Sequence, residues 1–375
     1  MAMNILHFSD SHLGYSEYNK IDPVTGINRR EQDFYNAWQQ VIEAILSLKP
    51  DVVVHAGDLF HNPRPGNRAI RVALEGIKKI SDAHIPIVIV SGNHETPKIR
   101  ATGSIFESIA LFDNVYLAYS GKYERFTIKG IDFHCVPHCS ITEDLDLALK
   151  SIRMEKSPAK NILVTHGAWS GKQTFGMGEF NEQRLPDIEA ELGEQFDYIA
   201  LGHYHNFIRI KDHVCYSGST ERTSLNEAGN SCGFVTVGLE NFNVDFHSIS
   251  TRLMVKIGPV DCAGLAAEQI SARISDLSAG VPDGAIVLLT LENMEDHTFL
   301  KLAGYDLDQF FPRVFHLEKR IHRQTQDALE YGRGSSIESI TVEFERYMES
   351  VKGLEFDPEK LKKLGIAYLN MEEGT

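Results

Sequence analysis

Five short polar clusters follow apolar runs in the N-terminal part of the chain: Asp10-Ser-His12, Gly57-Asp58, Gly92-Asn93-His94-Glu95, His166-Gly167 and Gly202-His203-Tyr-His205. Carboxylate, imidazole and amide oxygen are donors for hard or borderline divalent cations, and the mixture favours manganese, iron, zinc, cobalt or nickel over calcium. Asp10 and His12 stand two residues apart, as do His203 and His205, so on extended backbone each pair points to one side. The candidate ligands lie within these five clusters. Two cations held by such a set suit phosphoester hydrolysis, where a metal pair clamps the attacking and leaving oxygens of an in-line displacement. Each cluster alone is a weak signal. Their joint appearance, each at the end of an apolar stretch, carries the reading.

Those stretches must place the donors. Asn4–Phe8, Asp51–His55, Pro86–Val90, Asn161–Thr165 and Tyr198–Leu201 read as buried strands. Arg30–Leu48 carries Phe34, Ala37, Trp38, Val41, Ile42, Ile45 and Leu48 at helical spacing, and a second helix is expected over Asn67–Ala83. This alternation predicts parallel strands with helices on their faces. The ends of such strands collect along one edge, where open α/β sheets bind ligands. Gly57, Gly92, Gly167 and Gly202 allow sharp turns there. Further strands are expected at Glu124–Ile128, Ile131–Val136, Phe207–Ile210, Phe234–Val237 and Val244–Ile249, and helices at Asp144–Met154 and Leu185–Leu192. The predicted class is α/β, a two-sheet sandwich flanked by helices, over residues 1–250.

After Thr251 the pattern restarts. Strands at Leu253–Ile257, Ala285–Leu291 and Arg313–Leu317, with a helix at Leu265–Leu277, predict a small α+β domain over residues 251–331 that holds none of the candidate ligands. Gly332-Arg-Gly-Ser-Ser336 reads as a flexible linker. The rest of 332–375 carries a helix pair, one helix striped by Ile337, Ile340, Phe344, Tyr347, Met348 and Val351, the other spanning Glu359–Leu369 behind the Asp357-Pro358 cap. A pair this small must dock on something else. No apolar run approaches the roughly 20 residues that span a bilayer, and the N-terminus lacks the regions of a signal peptide. A cytoplasmic protein with no membrane association is expected. Cys135, Cys139, Cys215, Cys232 and Cys262 form no Cys-x-x-Cys pair, so buried free thiols are expected. The formal net charge of −15 argues against binding nucleic acid by bulk charge, though not against binding through metals and local arginines.

In this order the clusters resemble the calcineurin-like metallophosphoesterase superfamily, from about Met3 to Ser250. Phe8-Ser-Asp-Ser-His-Leu-Gly14 and Gly57-Asp-Leu-Phe-His61 resemble its DNA-repair nuclease branch, the bacterial SbcD proteins and their meiotic-recombination nuclease relatives. Protein phosphatases of the superfamily carry an arginine where Leu59, Phe60 and His61 stand here. The resemblance implies two metal shells, Asp10, His12 and His205 in one and Asn93, His166 and His203 in the other, with Asp58 bridging and manganese as the metal. It implies catalytic roles for His94 and His61. Glu95 is expected either to fix the tautomer of a neighbouring histidine or to serve as a helix N-terminal carboxylate. The implied activity is 3′-to-5′ exonuclease on duplex ends and endonuclease on single-stranded or hairpin DNA, in prokaryotic double-strand-break repair at the nucleoid. The implied assembly is a homodimer, with a dimer face on Arg30–Leu48 or near Ile70–Ile80, joined to a coiled-coil SMC-like ATPase. The region after Thr251 resembles a DNA-capping domain, and the helix pair resembles the segment that binds the ATPase.

Candidate DNA contacts are Arg64 and Arg68 in the proline-flanked loop after His61, with Arg29, Arg30, Lys98, Arg100 and Lys172 near other strand ends. Trp169–Pro186, with Lys172, Phe175 and three glycines (Gly171, Gly176 and Gly178), reads as a mobile loop over the site. Two readings compete: a phosphodiesterase or phosphatase for a small phosphoester, which has no use for the added domain and helix pair, and a scaffold that bridges DNA and the ATPase.

Overall fold

The structure, a computed structural model, describes residues 4–97, 103–154, 160–169, 182–192, 195–240, 242–302, 306–324, 360–364 and 366. Lys98, Arg100, Lys172, most of the expected loop after Trp169, the linker at 332–336 and most of the helix pair lie outside the described residues. In chain order the elements are β1 (Asn4–Phe8), α1 (Arg29–Leu48), β2 (Val52–His55), α2 (Asn67–Asp82), β3 (Ile87–Val90), α3 (Phe106–Ile109) and β4 (Val115–Ala118). Then come β5 (Glu124–Ile128), β6 (Ile131–Val136), α4 (Thr142–Lys150), β7 (Lys160–His166), β8 (Ala168–Trp169), β9 (Arg184–Leu185) and α5 (Ile188–Leu192). The sandwich closes with β10 (Tyr198–Gly202), β11 (Ile208–Lys211), β12 (Val214–Tyr216), β13 (Gly233–Gly238) and β14 (Val244–Ser248). Beyond it lie β15 (Met254–Asp261), α6 (Ala267–Ser278), β16 (Ile286–Met294), α7 (Asp296–Leu302) and β17 (His316–Arg323).

Two six-stranded sheets run in the orders β14-β13-β1-β2-β3-β4 and β11-β12-β10-β7-β6-β5, and a third runs β15-β16-β17. In the first, β1 to β4 are parallel and β13 and β14 antiparallel. In the second, β6, β7, β10 and β12 are parallel, with β5 and β11 antiparallel at the edges. The alternation of side chains along each strand builds the layers. Ile5, Val54, Val88 and Val90 face Phe133, Ile162, Val164, Tyr198 and Ala200 between the sheets. Their neighbours Leu6, Val53, Ile87 and Ile89 pack outward under α1 and α2, against Trp38, Val41, Ile42, Ile45, Ile77 and Ile80. On the far side Leu163, Ile199 and Leu201 pack with Leu145, Ala148 and Leu149 of α4. Strands covered on both faces read as continuous apolar runs, which is why they were legible.

Asn28 caps α1, its side chain accepting from the N–H groups of Arg30 and Glu31, and Lys49 ends it in the left-handed region. Four short strands, β4, β8, β9 and β12, were not expected. The helix expected from Leu185 starts only at Ile188, because Leu185 pairs as a strand with Trp169 and Pro186 disfavours helical backbone before it. All five cysteines are free and buried. By Cα proximity the chain divides into two units: Met1–Pro259 with Ser271–Thr290 and Leu307–Arg320, and Val260–Ile270 with Leu291–Asp306 and Ile321–Thr375. All seven candidate ligands lie in the first. Among the described residues no helix is long and apolar enough to cross a membrane.

Candidate metal centre

The ends of β1, β2 and β3 from one sheet and of β7 and β10 from the other meet at one edge of the sandwich. Just past β1 and β2 the chain stays zipped: the N–H groups of Asp10, His12 and Leu13 donate to the carbonyls of Gly57, Asp58 and Leu59 at 2.9, 3.0 and 2.9 Å. Four candidate ligands take positive φ without being glycine: Asp10 (52°), His12 (42°), Asp58 (55°) and His203 (114°). Such backbone costs about 1–3 kcal/mol per residue and persists where the surroundings enforce it, commonly at functional sites. Asp10, His12, Asp58, His166, His203 and His205 are buried, and Asn93, His61 and His94 are half-buried.

The side chains converge. His166 Nε2 lies 3.3 Å from Asp58 Oδ2 and 3.0 Å from Asn93 Oδ1. His12 Nε2 lies 3.0 Å from His205 Nε2 and 3.9 Å from Asp58 Oδ2, and His205 Nε2 is 4.0 Å from Asp10 Oδ1. Asp10, His12 and His205 thus offer donor atoms within 4.8 Å of one another, as do Asp10, Asp58 and His166, and as do His12, His61 and His94. The outer nitrogens fix which ring nitrogen faces inward. His166 Nδ1–H donates to the Ala56 carbonyl at 2.8 Å, and His205 Nδ1–H to Glu227 Oε1 at 3.0 Å. His203 is held the other way, Nε2 on Glu182 Oε1 at 3.1 Å, and its buried Nδ1 has no hydrogen-bond partner among the described residues. A buried imidazole nitrogen left without a hydrogen bond fits a metal ligand, and the donor set as a whole suits divalent metals.

The electrostatics agree. Burial alone would lower His166, yet Asp58 and Asp10 push it up to about 10. Burial works against ionising Asp58, but His166, His94 and His12 hold it well below the usual carboxylate range. Asp10 is raised, since burial outweighs His166 and His205 around it. The centre therefore draws positive charge. Asp10 also accepts from the Ser9 hydroxyl at 2.5 Å and from the His203 N–H at 3.1 Å.

Close approach adds to the turn at Gly57, whose φ is 96°, and stands alone at Gly92, which has no positive φ. A Cβ on Gly57 would lie 2.3 Å from His166 Nδ1, and one on Gly92 would lie 2.1 Å from Asp58 Oδ1. Glu95 takes neither of its expected roles. Its Oε1 accepts the N–H of Gly92 at 2.7 Å and of Asp58 at 3.0 Å, which ties two ligand turns together. Burial and the nearby Asp58 push it up to about 8, so it is mostly protonated at neutral pH.

Residues 3–207 match the family model described as calcineurin-like phosphoesterase, more than half of the 375 residues. The chain belongs to this family. The phosphoesterase is also similar to curated proteins named DNA double-strand break repair protein Mre11. That of Thermoplasma acidophilum is 29% identical over 353 residues, covering 88% of each chain. That of Methanocaldococcus jannaschii is 35% identical over 237 residues, covering 60% of this chain and 58% of its own, and that of Methanococcus maripaludis 31% over 236, covering 60% and 59%. The match thus spans less than two thirds of the latter two.

In the phosphoesterase Arg30 is not placed to meet a substrate. It is fully buried, 2.9 Å from Asp33 and 3.4 Å from Glu221, and it donates to the Arg222 carbonyl. Its position at the start of α1 turns it inward, so the expectation of a DNA contact is corrected. Arg29, Arg64 and Arg68 are exposed, with Arg29 4.0 Å from Asp22 and Arg68 3.6 Å from Glu31. Sequence reasoning missed Glu182 and Glu227, the carboxylates behind His203 and His205. Neither sits at a spacing from its histidine that singles it out.

Proposed function

We propose that this phosphoesterase is a manganese-dependent DNA nuclease of double-strand-break repair, with one cation held by Asp10, His12 and His205, the other by Asn93, His166 and His203, and Asp58 between them. The observation that carries the two-cation reading is the convergence of Asp10, His12 and His205 in one group and of Asp10, Asp58 and His166 in another, supported by a buried His203 Nδ1 without a hydrogen-bond partner among the described residues. When bound, two divalent cations neutralise charge on a phosphate and acidify water near neutral pH. The protein supplies position and protons. His94 Nδ1 lies 3.1 Å from the His61 carbonyl; donating there leaves Nε2, 4.0 Å from Asp58 Oδ2, to meet the substrate. His94 keeps 22% of its side-chain surface exposed while the ligands beneath are closed off, so a phosphodiester reaches it from solvent. As the imidazolium, with Nδ1–H on the His61 carbonyl, His94 would present Nε2–H and donate a proton or a hydrogen bond to the leaving oxygen. The His61 ring stacks on His94 at 4.9 Å and limits how that ring can turn.

The DNA substrate rests on the names of the Mre11 relatives and on the exposed Arg29, Arg64 and Arg68. The exonuclease and endonuclease modes, the homodimer, the capping role of the region after Thr251 and the coiled-coil ATPase partner for the C-terminal helix pair belong to the same proposal. The test compares a labelled DNA duplex with a chromogenic phosphodiester, both with manganese, in wild type and His94→Ala. The expected result is that wild type cuts DNA and His94→Ala binds DNA and manganese without cutting. If wild type cuts only the small ester, the nuclease reading fails. Undiminished cleavage by His94→Ala would remove His94 from the chemistry.

A further inference from the structure

Behind the His205 side of the centre runs a strap of buried charge that hydrolysis does not use. Glu227 Oε1, which accepts from His205 Nδ1–H, also accepts from the Thr223 hydroxyl at 2.7 Å, and its Oε2 accepts the Thr223 N–H at 2.9 Å. Thr223 is pinned through its neighbours. The Arg222 guanidinium donates to Thr251 Oγ1 at 2.9 Å and to the Arg252 carbonyl at 3.2 Å, and the Arg222 carbonyl accepts from Arg30. Glu221 Oε2 accepts the Arg252 N–H at 3.3 Å. Arg252 itself grips Asp33 with two bonds, 2.6 and 2.8 Å, donates to the Gly284 carbonyl at 2.8 Å, and stands over the Phe315 ring at 4.1 Å.

Arg30, Glu221 and Arg222 are 0%, 1% and 7% exposed. Well-packed apolar residues often replace buried ion pairs without loss of stability, so burial of this much charge is weak evidence of a stability role. What the strap does achieve is to fix the backbone at Thr223, and through Thr223 the carboxylate that aims the His205 ring. His203 is aimed by Glu182, which makes none of the strap's contacts described above.

We infer that Glu227 is a positioning residue for His205, and that the grip of Arg252 on Asp33 and Glu221 sets the cation affinity of the Asp10, His12 and His205 shell alone. The inference rests on the two-cation reading. It makes the two shells separately adjustable. One is tuned from the segment that begins at Arg252, and the other is not. A device of this kind lets whatever engages that segment alter one metal's occupancy without touching a ligand.

The test uses the full chain and manganese alone, read by calorimetry and by electron paramagnetic resonance of the ion pair. Wild type is expected to bind two ions with an exchange-coupled spectrum. Glu227→Ala is expected to weaken one ion by about 10–100-fold, the usual effect of losing a group that orients a ligand, and to leave the other tight. The coupled spectrum then gives way to that of an isolated ion. Glu227→Gln keeps one acceptor oxygen for the His205 Nδ1–H but turns an amide NH2 toward the Thr223 N–H, and recovers part of the affinity, a result that simple loss of packing does not give. Arg252→Lys keeps the charge but loses the two-pronged grip, and weakens the same ion by about 10-fold. Asp33→Asn loosens that contact from the other side and gives the same direction if Arg252→Lys folds poorly. Because Arg252 acts through Glu227, the double variant Arg252→Lys with Glu227→Ala is no weaker than Glu227→Ala alone. Additive losses, equal weakening of both ions, or two tight ions in Glu227→Ala would overturn the inference. A wild-type chain that binds no ion pair would instead defeat the two-cation reading itself.

Discussion

Alanine at Gly92 should move Asp58 while leaving every ligand in the sequence. The added Cβ would fall 2.1 Å from Asp58 Oδ1, 2.5 Å from its backbone nitrogen and 2.7 Å from its Cγ, where real Cβ contacts essentially never come under 3.0 Å. Gly92 does not have a positive φ, so alanine suffers no backbone penalty there and the effect is steric. The backbone nitrogen has little freedom to yield, since Glu95 Oε1 holds the N–H groups of both Asp58 and Gly92. The carboxylate must therefore retreat by roughly 0.9 Å or turn, an overpacking that costs about 1–3 kcal/mol. A displacement near 1 Å at a reacting centre lowers rates by about 10²-fold. With Asp58 between the two proposed shells, manganese calorimetry on Gly92→Ala should show both ions weakened, and duplex cleavage should fall by about 10²-fold. The melting curve in chelator should stay cooperative, showing that the core has survived. Two manganese ions at wild-type affinity together with wild-type cleavage would refute the claim that Gly92 exists to make room for Asp58.

Three further outcomes concern ionisable groups outside the proposed ligand set. His7 and His55 are fully buried, and burial holds both at about 3 against an ordinary value of 6.5. They are neutral in both states above that ordinary value; as the pH falls below it the unfolded chain takes up protons that the folded chain refuses, so each costs about 1.4 kcal/mol per pH unit. Urea unfolding of His7→Asn or His55→Asn between about pH 6.5 and 4.5 should show a slope shallower by that amount, and an unchanged slope would mean these histidines do not drive acid unfolding. Arg30→Met should lower stability by about 3–5 kcal/mol by stranding Glu221 and leave the salt dependence of DNA binding alone. Arg68→Ala should cost little stability and reduce the salt slope by about 1; the reverse pattern would restore Arg30 as a phosphate contact.

β2 and β3 were legible because each is covered on both faces, so Val52 to Val54 and Ile87 to Val90 read as unbroken apolar runs. β4 escaped notice for the opposite reason. Val115, Tyr116 and Leu117 are only half-buried at a sheet edge, and the run is too short for a period to show. β12 is three residues long, and its pairing with β10 is decided by where the chain returns rather than by local preference. Arg30 was misread because its place near a strand end suggested a phosphate contact, while its true environment is set by Asp33 one turn on and by Glu221 far along the chain.

The proposed metal ligands were legible for a physical reason that does not extend to their supports. A ligand at the end of a buried strand breaks an apolar run, and that break is visible in one dimension. Glu227 and Glu182 break nothing; they sit in polar loops where a glutamate is unremarkable, and only the folded chain brings them to 3.0 and 3.1 Å from His205 and His203. Glu95 is an intermediate case, next to a ligand in sequence yet spending its carboxylate on the backbone of Gly92 and Asp58. The positive φ angles at Asp10, His12, Asp58 and His203 belong with these supports. A non-glycine residue in that region is disfavoured on its own, so no local preference announces it. The strain persists because interlocked turns, Asp10 on Gly57, His12 on Asp58 and the His203 N–H on Asp10, leave the backbone no alternative. The chemistry of the centre is thus written at strand ends, and its geometry in contacts between segments distant in sequence.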